Sequence, residues 1–338
     1  MQFGVILCVA ITLTVCFGAR PIGLRLGVMD QPDGARKLHA KTTPQVGGLA
    51  VGIPVVLFAL ARAVTTDFAP LYATIAVVGA ALLTLGTIDD RRQIRPALRL
   101  GASFLICVGA LYSVPGLQIA FLKFTGFTPA LYFDSLWVWV FSLICMVGLQ
   151  NAINMADGKN GLVVGLSLIW SALIWLHAPE HLQLMLELLF LALAVTFAFN
   201  LAGRLFLGDG GTYTLGGLIG LLAIYSYVVG VPRLTADTVM LWFLVPVLDC
   251  LRLIVSRLRQ GRSPFSSDLN HLHHILAELM PWRWGLAVYL GMVGVPALLA
   301  LAAPERTLEL AFGTAAVYAV MVTIGGRVTA ARRLMSTL

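Results

Sequence analysis

Polar positions are scarce along this chain, and they gather in short clusters separated by long apolar runs. A helix needs roughly 20 apolar residues to cross about 30 Å of hydrocarbon. Eleven stretches are predicted to do so: 1–19, 47–65, 69–88, 98–115, 134–153, 160–178, 183–202, 211–231, 236–255, 284–303 and 307–326. The expected fold is therefore all-α, a polytopic membrane protein of about eleven transmembrane helices. The stretch 47–65 carries Pro54 and three glycines. A membrane helix tolerates such breakers when neighbouring helices satisfy the freed backbone groups. In the first stretch Arg20 and Arg25 follow the apolar run and do not precede it. That order predicts an uncleaved helix with its N-terminus outside, which leaves the C-terminus in the cytoplasm.

Composition sharpens the picture. Of 338 residues, 59% are hydrophobic and 12% charged, with a mean hydropathy of +0.89. Soluble domains carry about 25% charge, so a soluble fold, a disordered chain and a disulfide-rich secreted scaffold are all excluded. Cys8, Cys16, Cys107, Cys145 and Cys250 lie in apolar stretches without a CxxC pair. They read as small buried hydrophobes. The net charge of +7 does not require nucleic acid, because basic loops set membrane topology. Threaded with the N-terminus outside, all of the 23 Lys and Arg except Arg62, Lys123, Arg233 and Arg306 fall on the inner side.

The polar clusters fall on that same inner side. Asp89-Asp90, ahead of Arg91 and Arg92, reads either as a solvated helix end or as a carboxylate pair for divalent-metal or phosphate chemistry. Asn151, Asn154 and Asp157 at i, i+3 and i+6 share one helix face. Hard oxygen donors of this kind suit Mg²⁺ or a nucleotide sugar, and a C-cap ahead of Gly158 is the plain alternative. Gly208-Asp209-Gly210-Gly211 is either an interhelical turn or a backbone that approaches a phosphate closely. His271, His273 and His274 lack zinc spacing. With Arg257, Arg259, Arg262 and Arg283 nearby they suggest a basic anion-binding loop. Lys37 and His39 are either a topology signal or a lipid-phosphate contact. Asp249 and Arg252, three apart, read as a structural pair.

In combination these segments resemble the polyprenyl-phosphate N-acetylhexosamine-1-phosphate transferases. The likeness rests on Asp30-Gln31-Pro32, Arg36 to His39 and Pro44 to Gly48; on Asp89-Asp90; on Asn151 to Gly161; on Phe206 to Asp209; and on Asp268 to His274. Within that family the His-x-His-His order and eleven spans are most like the undecaprenyl-phosphate N-acetylglucosaminyl-1-phosphate transferases. The muramoyl-pentapeptide-phosphate branch is the alternative. Two positions depart from the family pattern: Gln93 and Asn160 stand where relatives often carry Asp.

The resemblance implies one catalytic transmembrane domain over 1–338, with cytoplasmic site loops at 20–46, 89–97, 150–160, 203–211 and 256–283. It implies transfer of N-acetylhexosamine 1-phosphate from a UDP-N-acetylhexosamine to undecaprenyl phosphate, releasing UMP and initiating a cell-envelope polysaccharide at the inner membrane. By the same likeness Mg²⁺, with Mn²⁺ as a substitute, is held by Asp209 with help from Asn154. Asp89 and Asp90 orient the lipid phosphate, and Asp89, Asp90 and Asp209 form the catalytic set. Asn151 and Asp157 contact the uridine-sugar half. Arg262, His271, His273 and His274 hold the diphosphate or sugar, and Lys37 and His39 complete the substrate contacts. The expected partners are these two substrates and membrane lipids, with no nucleic acid; a homodimer is compatible with the sequence. A transporter is the rival of another class. Its sites would lie near the midplane between internal repeats, whereas here the carboxylates sit at helix ends and no repeat is visible.

Overall fold

The computed structural model describes residues 2–32, 41–230, 234–266 and 268–336. Thirteen helices follow in order: α1 (Gln2–Phe17), α2 (Ala19–Leu26), α3 (Gly47–Thr65), α4 (Ala69–Arg92), α5 (Pro96–Ser113), α6 (Ser135–Ala156), α7 (Leu162–Trp175), α8 (Glu180–Leu201), α9 (Gly208–Val229), α10 (Ala236–Arg259), α11 (Leu272–Leu279), α12 (Trp282–Ala302) and α13 (Thr307–Ser336). The chain is a multi-pass, all-α membrane protein.

Among the described residues nine helices are long and apolar enough to cross a bilayer. The other two expected spans turn out differently. The first yields α1, 16 residues, and the chain then bends by 72° at Gly18 into α2. The reason lies in α2, which brings Pro21, Arg20 and Arg25 into the chain where hydrocarbon would have to continue. The stretch 160–178 yields only α7, 14 residues from Leu162 to Trp175, preceded by Gly161 at φ +84°. At 1.5 Å per residue that is about 21 Å, short of a full crossing. By contrast α3 runs unbroken through Pro54. All five cysteines are free thiols, and four of them are buried.

The chain divides into two compact units, one comprising Met1–Phe121 with Tyr132–Arg233, the other Leu122–Leu131 with Leu234–Leu338. In the first unit α9 is the central helix, packed by α3, α4, α6 and α7. Nearly nine-tenths of its apolar window is buried, as expected of a helix without a polar face. Glycine makes this closeness achievable. A Cβ on Gly48 of α3 would lie 2.3 Å from the Gly211 nitrogen, and one on Gly86 of α4 would lie 2.3 Å from the Asp209 carbonyl oxygen.

The segment between α2 and α3 is tied to the same place. Its strands β1 (Met29–Asp30) and β2 (Thr43–Pro44) pair antiparallel, and Gln45 bridges Phe206 in parallel. Gly47 and Gly48 then donate backbone N–H bonds to the carbonyls of Phe206 and Leu207 at 2.9 and 3.0 Å. Val15, Cys16, Ala19, Val28, Val46, Ala50 and Leu205 close a small apolar core beneath these contacts. In the second unit α10, α12 and α13 pack on one another around Leu241, Ala300 and Ala311.

Candidate active site

Three helix ends meet in the first unit: the C-termini of α4 and α6 and the N-terminus of α9. The first N–H groups of a helix have no intrahelical partner and carry partial positive charge. At α9 those groups are claimed by another helix. The Asp209 N–H donates to Asp90 Oδ1 at 2.8 Å and the Gly210 N–H to Oδ2 at 3.0 Å. Asp90 thus caps α9 from the end of α4. The glycines around Asp209 first serve this docking: at Gly208, with φ +73°, a Cβ would stand 2.7 Å from Asp90 Oδ2.

Asp89 beside it is buried, and its oxygens are also engaged. Oδ1 accepts the Ile94 N–H at 2.7 Å and Oδ2 accepts Arg99 Nη1 at 2.5 Å. The turn between α4 and α5 closes on the same residue, since the Gln93 N–H donates to the Asp89 carbonyl at 2.8 Å. Gln93 itself takes the left-handed conformation, φ +50°, that often ends a helix. Arg99, in the first turn of α5, also approaches Asp209, with Nη1 3.7 Å from Oδ2. One guanidinium therefore faces both carboxylates.

Asp209 remains about one-third exposed at its side chain. The α6 cluster reaches it through Asn154, whose Nδ2 donates to Asp209 Oδ1 at 2.6 Å and to Thr212 Oγ1 at 2.9 Å. Asn151 instead turns back on its own helix, donating to the Val147 carbonyl at 2.8 Å. Asp157 follows the last residue of α6. Burial, with Asp209's charge, pushes its carboxyl up to about 7. The loop beyond is stapled by Asn200, which accepts the Gly161 N–H at 2.6 Å and donates to the Leu205 carbonyl at 3.0 Å. Asn200 thereby locks the loop after α6 to the loop that leads into Asp209.

Asp89, Asp90, Asn154 and Asp209 are thus brought together with Arg99 and Thr212, and Asn151 and Asp157 stand on the adjoining helix end. Lys37 and His39 lie outside the described residues. Arg262, His271, His273 and His274 belong to the second unit. There the three imidazoles cluster: His271 stacks on His273 with ring centroids 5.1 Å apart, and His274 lies tilted against His273 at 4.3 Å. His271 Nδ1 lies 2.9 Å from Asp249 Oδ2. A carboxylate only accepts, so this contact is a hydrogen bond when Nδ1 carries the proton. The expected Asp249–Arg252 pair forms at 2.8 Å. Upstream of the histidines, Arg257 Nε holds Asp268 Oδ2 at 2.8 Å and Arg257 Nη1 donates to the Pro264 carbonyl at 2.7 Å. Burial would raise the Asp268 carboxyl, but the Asn270 N–H and Arg257 outweigh it and hold the group below its ordinary range. The loop that bears Arg262 is anchored this way, with the Arg262 N–H donating to the Arg257 carbonyl at 2.9 Å.

Three side chains at these places were not singled out by sequence: Arg99, Asn200 and Thr212. Asn200 alone left a trace, a lone amide at the end of an apolar run. Arg99 read as one topology charge among many.

Chemically, the first unit offers one partly exposed carboxylate, a second carboxylate on a helix N-terminus, an amide and a guanidinium. Among the described residues no three His, Cys, Asp or Glu side chains are placed to hold a metal by themselves. One carboxylate is nonetheless what Mg²⁺ commonly takes from a protein when phosphate oxygens and water supply the rest.

Comparison with known proteins narrows the chemistry. Residues 72–227 match the model of glycosyl transferase family 4. A probable undecaprenyl-phosphate N-acetylglucosaminyl 1-phosphate transferase of Bacillus subtilis is 31% identical over 264 residues, covering 75% of this chain and 71% of its own. An undecaprenyl-phosphate alpha-N-acetylglucosaminyl 1-phosphate transferase of Yersinia pestis is 28% identical, covering 78% and 73%. A decaprenyl-phosphate N-acetylglucosaminephosphotransferase of Mycolicibacterium smegmatis is 28% identical, covering 90% and 83%.

Proposed function

The chain belongs to glycosyl transferase family 4, and we propose that it transfers N-acetylglucosamine 1-phosphate from UDP-N-acetylglucosamine to undecaprenyl phosphate. An oxygen of the lipid phosphate attacks the sugar-bearing phosphorus of the donor. A new diphosphate bond forms, the old one breaks, and UMP leaves. One such bond is exchanged for another, so the reaction is near thermoneutral and reversible. Catalysis is then chiefly positioning and charge neutralisation.

The observation that carries this reading is the convergence on Asp209 of the α4, α6 and α9 ends. Asp209 is the residue suited to hold Mg²⁺ (or Mn²⁺), with Asn154 fixing its carboxylate through the 2.6 Å bond. The metal would supply charge for the donor diphosphate. Asp90 keeps Asp209 in place through the α9 backbone, and its oxygens retain lone pairs to take the last proton of the lipid phosphate. A phosphate monoester has its second pKa near ~6, so this base need only be weak. Asp89 acts by holding Arg99, whose guanidinium offers donors to phosphate oxygens. Asn151 and Asp157 contact the uridine-sugar half, and Arg262, His271, His273 and His274 bind anionic oxygens of the substrates. The site faces the cytoplasm of a bacterial inner membrane, where UDP-sugars are made.

All three relatives are named for N-acetylglucosamine, while their lipids differ between undecaprenyl and decaprenyl phosphate. The test is a radiolabel transfer assay in which purified protein in detergent receives undecaprenyl phosphate and a panel of UDP-sugars. Labelled lipid from UDP-N-acetylglucosamine above all others is expected. Transfer from another UDP-sugar alone would overturn the assignment of the sugar, and no transfer from any would overturn the reaction.

A further inference from the structure

In the second unit α10, α13 and the segment that opens α11 are joined by one buried polar network. Asp249, on α10, is its centre and is about 3% exposed. Its Oδ1 accepts from Arg252 Nη2 at 2.8 Å and from the Tyr318 hydroxyl at 2.9 Å. Its Oδ2 accepts His271 Nδ1 at 2.9 Å and the Leu272 N–H at 3.2 Å. Arg252 is itself fixed, Nε donating to the Tyr318 hydroxyl at 2.9 Å and Nη2 to the Asn270 carbonyl at 2.6 Å. The carboxylate cannot rotate without breaking several of these bonds. An aspartate used only to balance Arg252 would not need to reach across to the residue that precedes α11.

We propose that Asp249 is a positioning residue for His271: it fixes the Nδ1–H tautomer and the ring plane, leaving Nε2 as the nitrogen presented to substrate. This deepens the reading of His271 as a substrate-binding side chain and rests on it. Two nitrogens of one imidazole differ in role, and the partner of one decides what the other can do. Stacking of His271 on His273 at an interplanar angle of 16° supports the same ring orientation from its other side.

The experiment is ¹⁵N NMR of histidine-labelled, full-length protein in lipid nanodiscs, at a pH well above the ordinary imidazole range, with the His271 signals assigned from His271→Gln. The wild type is expected to show the Nδ1–H tautomer at His271, and Asp249→Asn to shift it toward Nε2–H. Tyr318→Phe removes a bond to the same carboxylate but not the imidazole contact, and should leave the tautomer unchanged. In the transfer assay Asp249→Asn should lower kcat about 10- to 100-fold, the usual loss when an orienting partner is removed. In a His271→Gln background the same change should cost less than about twofold, because coupled residues are not additive. An Nε2–H tautomer in the wild type would overturn the proposal, and so would equal losses in both backgrounds. The wild-type spectrum needs no variant that folds poorly. It is also independent of turnover, so a protein that lacks transferase activity but shows the expected tautomer would count against the function and not against this placement.

Discussion

Asp209 is held on three sides: its N–H by Asp90, one carboxylate oxygen by Asn154, and the other approached by Arg99. Its side chain keeps one-third of its surface open, which is what a metal ligand needs and a purely structural carboxylate does not. Asp209→Asn preserves the backbone bonds and the contact to Asn154. It also removes a like charge from beside Asp90. The substitution should therefore lower turnover at least about 100-fold, while the melting temperature in detergent stays level or rises. Near-normal Mg²⁺-dependent turnover would remove Asp209 from the metal role. At this scale the sequence shows which polar residues gather at the ends of apolar runs, and that is enough to single out Asp89, Asp90, Asn154 and Asp209. It does not show their partners. The N–H groups that Asp90 accepts lie 119 and 120 residues further on, and nothing local to Asp90 hints at them. Asp249 was legible as the partner of Arg252, three residues away, but not of His271, 22 residues away.

Between elements, contact distance is set by glycine. Gly48 and Gly86 let α3 and α4 close on the first turn of α9, and the cap from Asp90 depends on that distance. Gly86→Ala would place a Cβ 2.3 Å from the Asp209 carbonyl oxygen and 2.4 Å from the Gly210 nitrogen. Backbone on both sides cannot yield cheaply, so a loss of about 1–3 kcal/mol or more is expected, along with loss of activity as α9 is pushed from Asp90. Gly101→Ala on α5 meets nothing within 4 Å and should be neutral or stabilising, since Ala favours a helix over Gly by up to about 1 kcal/mol. Thermal unfolding of both variants in the same detergent checks the contrast. The helices themselves were legible because the bilayer imposes a length on every apolar run. The bend at Gly18 and the shortness of α7 were not. Both depend on where single residues such as Gly18 and Gly161 interrupt a helix, which the average hydropathy of a stretch does not resolve.

Across the whole molecule, composition announces a multi-pass membrane protein. The family follows from the order of five short motifs, none of which is specific alone. The division into two compact units left no mark in the sequence, because no linker of different composition separates them. What the molecule is taken to do is join a water-soluble nucleotide sugar to a lipid phosphate, and the bond that breaks is the most direct witness. UDP-N-acetylglucosamine labelled with ³²P in the sugar-linked phosphate and with ³H in the sugar, given to the purified protein with undecaprenyl phosphate, should deliver both labels to the lipid in equal amounts and release unlabelled UMP. Lipid carrying ³H without ³²P would mean that the sugar alone is transferred and UDP is the leaving group, and it would contradict the account.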